Sequence, residues 1–167
     1  MTPVRFRKRL AIALLLMLLP TGAAATPLSG QPAPAFKAIT INGQAVQLDS
    51  YSNQLLVLDF FASWCIPCRK SVPHLVEMNR KYSRQGLQVL GLSVDDGENT
   101  LRAFVDKHKI NYPVALASEA AQRAYGIREL PVTVIIDSKG RIKAVYRGYS
   151  DETGRAAESI IKALLVQ

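Results

Sequence analysis

Three observations predict an α/β domain of three layers, with helices on both faces of a mixed sheet. From about residue 55 onward, short apolar runs of strand length alternate with amphipathic helical stretches, the rhythm of parallel strands joined by crossover helices. Near the C-terminus two strand runs are separated only by Asp137-Ser138-Lys139-Gly140, a hairpin turn, so that part of the sheet is antiparallel. A last amphipathic stretch closes the chain, and no internal repeat or low-complexity tract interrupts the series.

Residues 1–25 stand apart from that body. Arg5, Arg7, Lys8 and Arg9 precede an unbroken apolar run, Leu10 to Leu19, and Pro20-Thr21-Gly22-Ala23-Ala24-Ala25 follows as a small-residue tail. This is the pattern of a secretory signal peptide. The apolar run of ten residues falls short of the roughly 20 that a membrane-spanning helix needs. Cleavage after Ala25 is therefore expected, with an uncleaved N-terminal anchor as the alternative and the only route to membrane contact. Either way the remainder is expected in the periplasm or otherwise outside the cytoplasm.

The Pro-, Gly- and Ser-bearing residues 26–34 read as an extended lead-in, and the folded domain is expected over 35–167. Its first element is a small hairpin extension, Phe36 to Ile41 and Ala45 to Leu48 around the turn Asn42-Gly43. Leu55 to Phe61 is an apolar run long enough for a central strand buried on both faces. A helix is expected from Cys68 to about Arg84, with Val72, Leu75, Val76, Met78 and Tyr82 as its apolar stripe and Gly86 as its stop. Leu87 to Val94 reads as a strand, Glu98 to His108 as a helix, Tyr112 to Leu116 as a short strand and Glu119 to Tyr125 as a short helix. Val132 to Ile136 and Ile142 to Tyr149 form the terminal hairpin, and a helix from Asp151 to about Val166 ends the chain.

Charge excludes little else. The formal net charge of +8 falls to +4 once residues 1–25 are set aside, since they carry four basic and no acidic residues and leave 17 basic against 13 acidic. No basic run with interleaved aromatics remains, so nucleic acid is not an expected partner.

The chemistry lies in Trp64-Cys65-Ile66-Pro67-Cys68, whose two cysteines are the only ones in the chain. Two thiols cannot build a tetrathiolate zinc site or a separate disulfide framework. Spaced i, i+3 on a first helical turn, they can exchange: Cys65 at the helix N-terminus faces unpaired amides and the positive end of the dipole, which favour thiolate, and Cys68 can resolve a mixed disulfide. Asp59, an acid inside an apolar strand, is expensive unless something uses it; a strand acid bonded to backbone is the bland alternative.

The stretch Asp59-Phe60-Phe61-Ala62-Ser63-Trp64-Cys65-Ile66-Pro67-Cys68-Arg69-Lys70-Ser71-Val72-Pro73 resembles the active-site strand and helix of thioredoxins, Pro73 matching their helix-kinking proline. Tyr125-Gly126-Ile127-Arg128-Glu129-Leu130-Pro131 resembles the segment that ends in their cis proline. The hairpin, the signal segment and the run Pro131 to Asp137 look more like the exported branch that includes the TlpA, ResA and cytochrome-c-maturation reductases. The resemblance covers roughly residues 34 to 166 and implies a thioredoxin-like fold. It also implies that Cys65 attacks, Cys68 resolves, and Asp59, with a raised pKa, accepts the Cys68 proton. Trp64, Ile66, Pro67, Leu130 and Pro131 are implied to meet the substrate, Pro131 holding the preceding backbone open so that an extended chain can pair with it.

There are departures from those families. Gly91 stands where thioredoxins usually carry a lysine near the acid, Ser71 where ResA-type reductases carry a glutamate, and Leu130 matches the pre-proline residue of neither branch. The expected function is an exported thiol–disulfide oxidoreductase with no cofactor beyond the Cys65–Cys68 disulfide. It would draw electrons from a membrane dithiol donor and reduce disulfides of secreted proteins, apocytochrome c being one candidate. Ile66-Pro67 contains no histidine to stabilise the thiolate further, which points to a reducing or intermediate potential. A disulfide oxidase or isomerase would use the same residues. A peroxidase is disfavoured by the W-C-x-x-C setting. A metal carrier would need a third soft or imidazole ligand, and His74 and His108 both sit among helical residues, so no metal site is expected.

Overall fold

The computed structural model describes residues 29–166. The expected signal segment and the first residues of the lead-in lie outside the described residues. Among the described residues no helix is long and apolar enough to cross a membrane.

A five-stranded mixed sheet forms the middle layer, in the order β5-β4-β3-β6-β7, with a separate two-stranded hairpin of β1 (Lys37–Ile39) and β2 (Ala45–Gln47). The central strand β3 (Leu55–Phe61) is buried along its whole length, as its apolar run requires. It pairs parallel with β4 (Leu87–Ser93) and antiparallel with β6 (Val132–Ile136). At the edges, β5 (Val114–Leu116) runs parallel to β4, and β7 (Ile142–Arg147) runs antiparallel to β6. The arrangement is the mixed α/β architecture expected from the alternation of elements.

Side chains alternate across this sheet, so β3 feeds two cores. Leu55, Val57 and Phe61 join residues of α1 (Cys68–Tyr82), α2 (Glu98–His108) and α4 (Asp151–Leu165) on one face. Leu56, Leu58 and Phe60 join Phe36, Val46 and the short α3 (Glu119–Ala124) with Tyr125 on the other. Asp59 belongs by parity to the first face, under α1.

Local chemistry sets the boundaries. Helix α1 ends in a single 3-10 turn, Ser83–Gln85, closed by Gly86 at φ 105°, a conformation glycine adopts without penalty. Helix α4 starts at a reciprocal capping box between Ser150 and Thr153. Strand β5 is shorter than expected because Pro113, which has no N–H, precedes it; the Pro113 carbonyl still accepts from the Gly91 amide at 2.9 Å. The final strand likewise stops at Arg147, before Gly148 at φ 72°.

The lead-in has more structure than its composition suggests. Pro32 bridges Arg141 beside β7, the Pro34 carbonyl accepts from the Tyr125 hydroxyl at 2.7 Å, and the Ile41 amide then reaches the Val114 carbonyl at 2.9 Å. The chain thus crosses the α3 face from one sheet edge to the other, and the hairpin docks against the edge strand β5. That contact covers an edge that would otherwise present unpaired backbone groups.

Gly91 is required by space. A Cβ there would stand 2.8 Å from Phe61 Cε1 and from Val114 Cγ1. Gly91→Ala is expected to destabilise the protein by about 1–3 kcal/mol through overpacking. Urea denaturation checks this, an unchanged midpoint contradicting it.

Candidate active site

Strand β3 delivers the chain to the site at its carboxyl end, where Ala62-Ser63-Trp64 leads into the cysteines. Cys65 and Cys68 form a disulfide with their Cα atoms 5.3 Å apart. Cys65 is nearly buried at 5% exposure and Cys68 fully so, which places the Cys65 sulfur at the surface side and the Cys68 sulfur beneath it.

Helix α1 starts at Cys68, as expected from the sequence. Cys68, not Cys65, is the first residue of α1, and Cys65 lies in the preceding turn. Cys65 nonetheless faces the helix end, because the Cys68 amide donates to Cys65 Sγ at 3.2 Å. The sulfur thereby takes the place of a helix cap, satisfying one of the orphan amides of the first turn, and a thiolate at that atom gains both the N–H and the dipole. Pro67 supplies no competing amide.

Asp59 is fully buried. Its Oδ1 accepts from the Thr133 hydroxyl at 3.0 Å, while Oδ2 has no partner. Thr133 is its register partner on β6 and also lines a small cavity with Ser71, His74 and Leu75 of α1, so the acid lies between the sheet and the helix that carries Cys68. Burial pushes the carboxyl from an ordinary value of 3.8 up to about 7, the Thr133 hydroxyl bond pulling the other way. A carboxyl in that range can hold or release a proton near neutral pH.

No residue at position 91 could assist it, because Phe61, Val114 and Tyr112 occupy the space a side chain would need. Ser71 is buried and its hydroxyl turns back to the Cys68 carbonyl at 3.4 Å, so this position adds no second acid.

Leu130-Pro131 is a cis peptide bond, as the resemblance implied. Leu130 borders a groove of about 510 Å³ with Trp64, Cys65, Ile66, Pro67 and Val94. Trp64 is 64% and Ile66 75% exposed, two large apolar side chains beside the reactive sulfur. No described residue hydrogen-bonds to the Leu130 amide or carbonyl, so the backbone just before β6 stands open there. Pro131 itself holds the next turn, its carbonyl accepting from the Gly148 amide at 2.8 Å. The two histidines are held in structural contacts, His74 Nε2 at 3.1 Å from the Gly154 carbonyl and His108 stacked on Phe104.

The sequence reading missed the group that fixes the turn before Cys65. Asp95 is buried and accepts from the Ser63 amide at 3.0 Å, the Ser63 hydroxyl at 2.7 Å and the Ser93 hydroxyl at 2.7 Å. This ties the end of β3 to the end of β4. The available signal was an acid directly after a parallel strand, on the sheet edge where α/β sites gather.

Comparison with known proteins agrees with this geometry. A model of the AhpC/TSA family matches residues 29–145. The thiol-disulfide oxidoreductase ResA of Bacillus thuringiensis subsp. konkukian is 26% identical over 136 residues, covering 81% of this chain and 78% of that protein. The thioredoxin-like protein YneN of Bacillus subtilis is 30% identical over 122 residues, 71% of each chain. Among solved structures, a candidate thiol:disulfide interchange protein DsbE from Chlorobium tepidum superposes with a TM-score of 0.79 at 30% identity, covering 84% of this chain and 99% of that one.

The Asp59 pKa has a consequence for stability. In the unfolded chain the carboxyl ionises near 3.8, in the folded protein only near 7, so between those values the native state binds the extra proton. Stability is therefore greatest in this respect below about pH 4 and falls as pH rises through 7, by roughly 4 kcal/mol in total. Urea denaturation of the oxidised protein at pH 5 and pH 8 is expected to show the part of this loss that lies above pH 5, about 3 kcal/mol, and Asp59→Asn is expected to remove it. Equal slopes in the two proteins would contradict the assignment.

Proposed function

This chain belongs to the AhpC/TSA family of thioredoxin-like proteins and is a thiol–disulfide oxidoreductase with a Cys65–Cys68 pair, and from that premise we propose that it is exported and reduces disulfides of secreted proteins. The observation that carries the reading is the closed Cys65–Cys68 pair at the lip of an apolar groove, with one amide on the outer sulfur and a buried acid below the helix.

The reaction begins with the reduced pair. The Cys65 thiolate, held by the Cys68 amide, attacks one sulfur of a client disulfide docked against Trp64, Ile66 and the open Leu130 edge. A mixed disulfide forms and the client's other sulfur leaves as thiolate. Cys68 then gives its proton to the Asp59 carboxylate, attacks Cys65 Sγ and releases the second client thiol. Two electrons pass to the client, and the enzyme is left as the disulfide seen here. A membrane dithiol donor restores the thiols.

Export is supported by the basic start, apolar run and small-residue tail within residues 5–25. The reducing direction is supported by Ile66-Pro67, which adds no cation between the cysteines, so the thiolate form is not stabilised to the degree that makes a strong oxidant. Extended segments with an accessible disulfide, apocytochrome c among them, fit a groove with an open backbone edge. The same features disfavour a peroxidase, since Cys65 works with a partner three residues away.

Equilibration with glutathione buffers reads the direction. A potential well below about −150 mV, toward the thioredoxin value near −270 mV, is expected; a value near −120 mV would assign a disulfide oxidase instead. In cells, Cys68→Ala is expected to hold secreted clients as mixed disulfides through Cys65. Failure of the exported form to appear outside the cytoplasm would sink the location.

A further inference from the structure

Three buried side-chain polar atoms lack a hydrogen-bond partner among the described residues: Asp59 Oδ2, Tyr112 Oη and Arg147 Nη2. Buried polar atoms are almost always paired, because an orphan gives up its hydration for nothing, so each exception asks for a reason. Two of these three lie together. Gly91 is the register partner of Asp59 on β4, and Tyr112 fills the space a side chain there would take, its Cε2 standing 3.3 Å from the position of a Cβ. That ring carbon is adjacent to the one bearing the hydroxyl, so the polar end of Tyr112 lies over Gly91, beside Asp59 and on the same face of the sheet.

The two orphans are chemically matched. Tyr112 is 6% exposed, and burial together with the Asp59 charge pushes its phenol well above 10, so it remains a donor throughout the working range. Asp59 has one oxygen taken by Thr133 and one left over. On this face the acid meets Thr133 from β6, Tyr112 from the segment before β5 and the cysteine-bearing helix α1. Only burial and Thr133 move its pKa, with no lysine, arginine or histidine contributing.

We propose that Tyr112 is a positioning residue for the redox reaction, its hydroxyl donating to Asp59 Oδ2 when the carboxyl is ionised. The two atoms are not bonded in this structure, and the contact forms once the carboxyl loses its proton, the same ionised form in which Asp59 accepts the Cys68 proton. The proton passes from Cys68 Sγ to Asp59; Tyr112 neither gains nor loses one. It holds the acid ionised and turned toward its task, in a position that Gly91 leaves open for a ring from elsewhere in the chain. The inference rests on Asp59 being the acceptor for Cys68.

The test is the titration of the Asp59 carboxyl, followed by carbon-13 NMR on the full-length oxidised protein labelled at aspartate, in wild type and Tyr112→Phe. The variant keeps the ring and removes only an atom without a partner, so the fold is retained. Its Asp59 midpoint is expected to rise from about 7 by about one pH unit. The rate of mixed-disulfide resolution at pH 7 is expected to fall several-fold, its pH profile moving upward by the same amount. An unchanged midpoint would overturn the proposal, and a structural role alone would leave both readouts in place. If Asp59→Asn leaves the resolution rate unaltered, the acceptor reading fails, while the midpoint in Tyr112→Phe still decides whether the contact exists.

Discussion

Ionising Asp59 is costly because β3 is buried on both faces, and that cost organises the site around it. A carboxyl in water would stay charged at neutral pH and would make a poor acceptor for a thiol proton. Held between the sheet and α1, with a single hydroxyl on one oxygen, the same group titrates near 7. The neighbours are consistent with this: Gly91 is excluded from bearing a side chain, Ser71 brings no charge, and the apolar residues Val57, Phe61 and Val72 pack into the same core as Cys68. A buried carboxyl below the helix that carries Cys68 and an amide on Cys65 give the two sulfurs different surroundings.

The outer half of the site follows a different rule. Cys65 is supported by backbone, through the Cys68 amide and the helix end, and its loop is fastened to β4 by Asp95. Around it the surface is apolar and exposed, with Trp64 and Ile66 standing out from a groove that ends at an unpaired stretch of backbone. Rigid support for the sulfur combined with an exposed apolar rim suits a thiol–disulfide oxidoreductase that presents one sulfur in a fixed geometry to disulfide-containing proteins.

Much of this was legible in the sequence. Strands β3 and β6 and helix α2 have the expected bounds, because continuous β-branched and apolar runs, or a clean helical stripe, leave little choice. The cysteine pair and the proline at 131 were legible because they are local. What stayed hidden depends on residues far apart in the chain. Ser63 and Asp95 are 32 residues apart and Asp59 and Thr133 are 74 apart, so their hydrogen bonds are set by strand register alone. Tyr112 is expected from the sequence only as the first residue of a short strand, and the packing over Gly91 is what places it beside the acid. The lead-in carried no periodic signal, although its backbone bonds tie it to both edges of the sheet.

The central claim is that Asp59 accepts the Cys68 proton when the mixed disulfide is resolved. Rapid-mixing measurement of that single step from pH 5 to pH 9, in wild type and in Asp59→Asn, tests it most directly. The account predicts a wild-type rate that rises through a midpoint near 7 and an Asn variant slower by at least about tenfold at neutral pH, without that inflection. Coincident rates and profiles in the two proteins would contradict it.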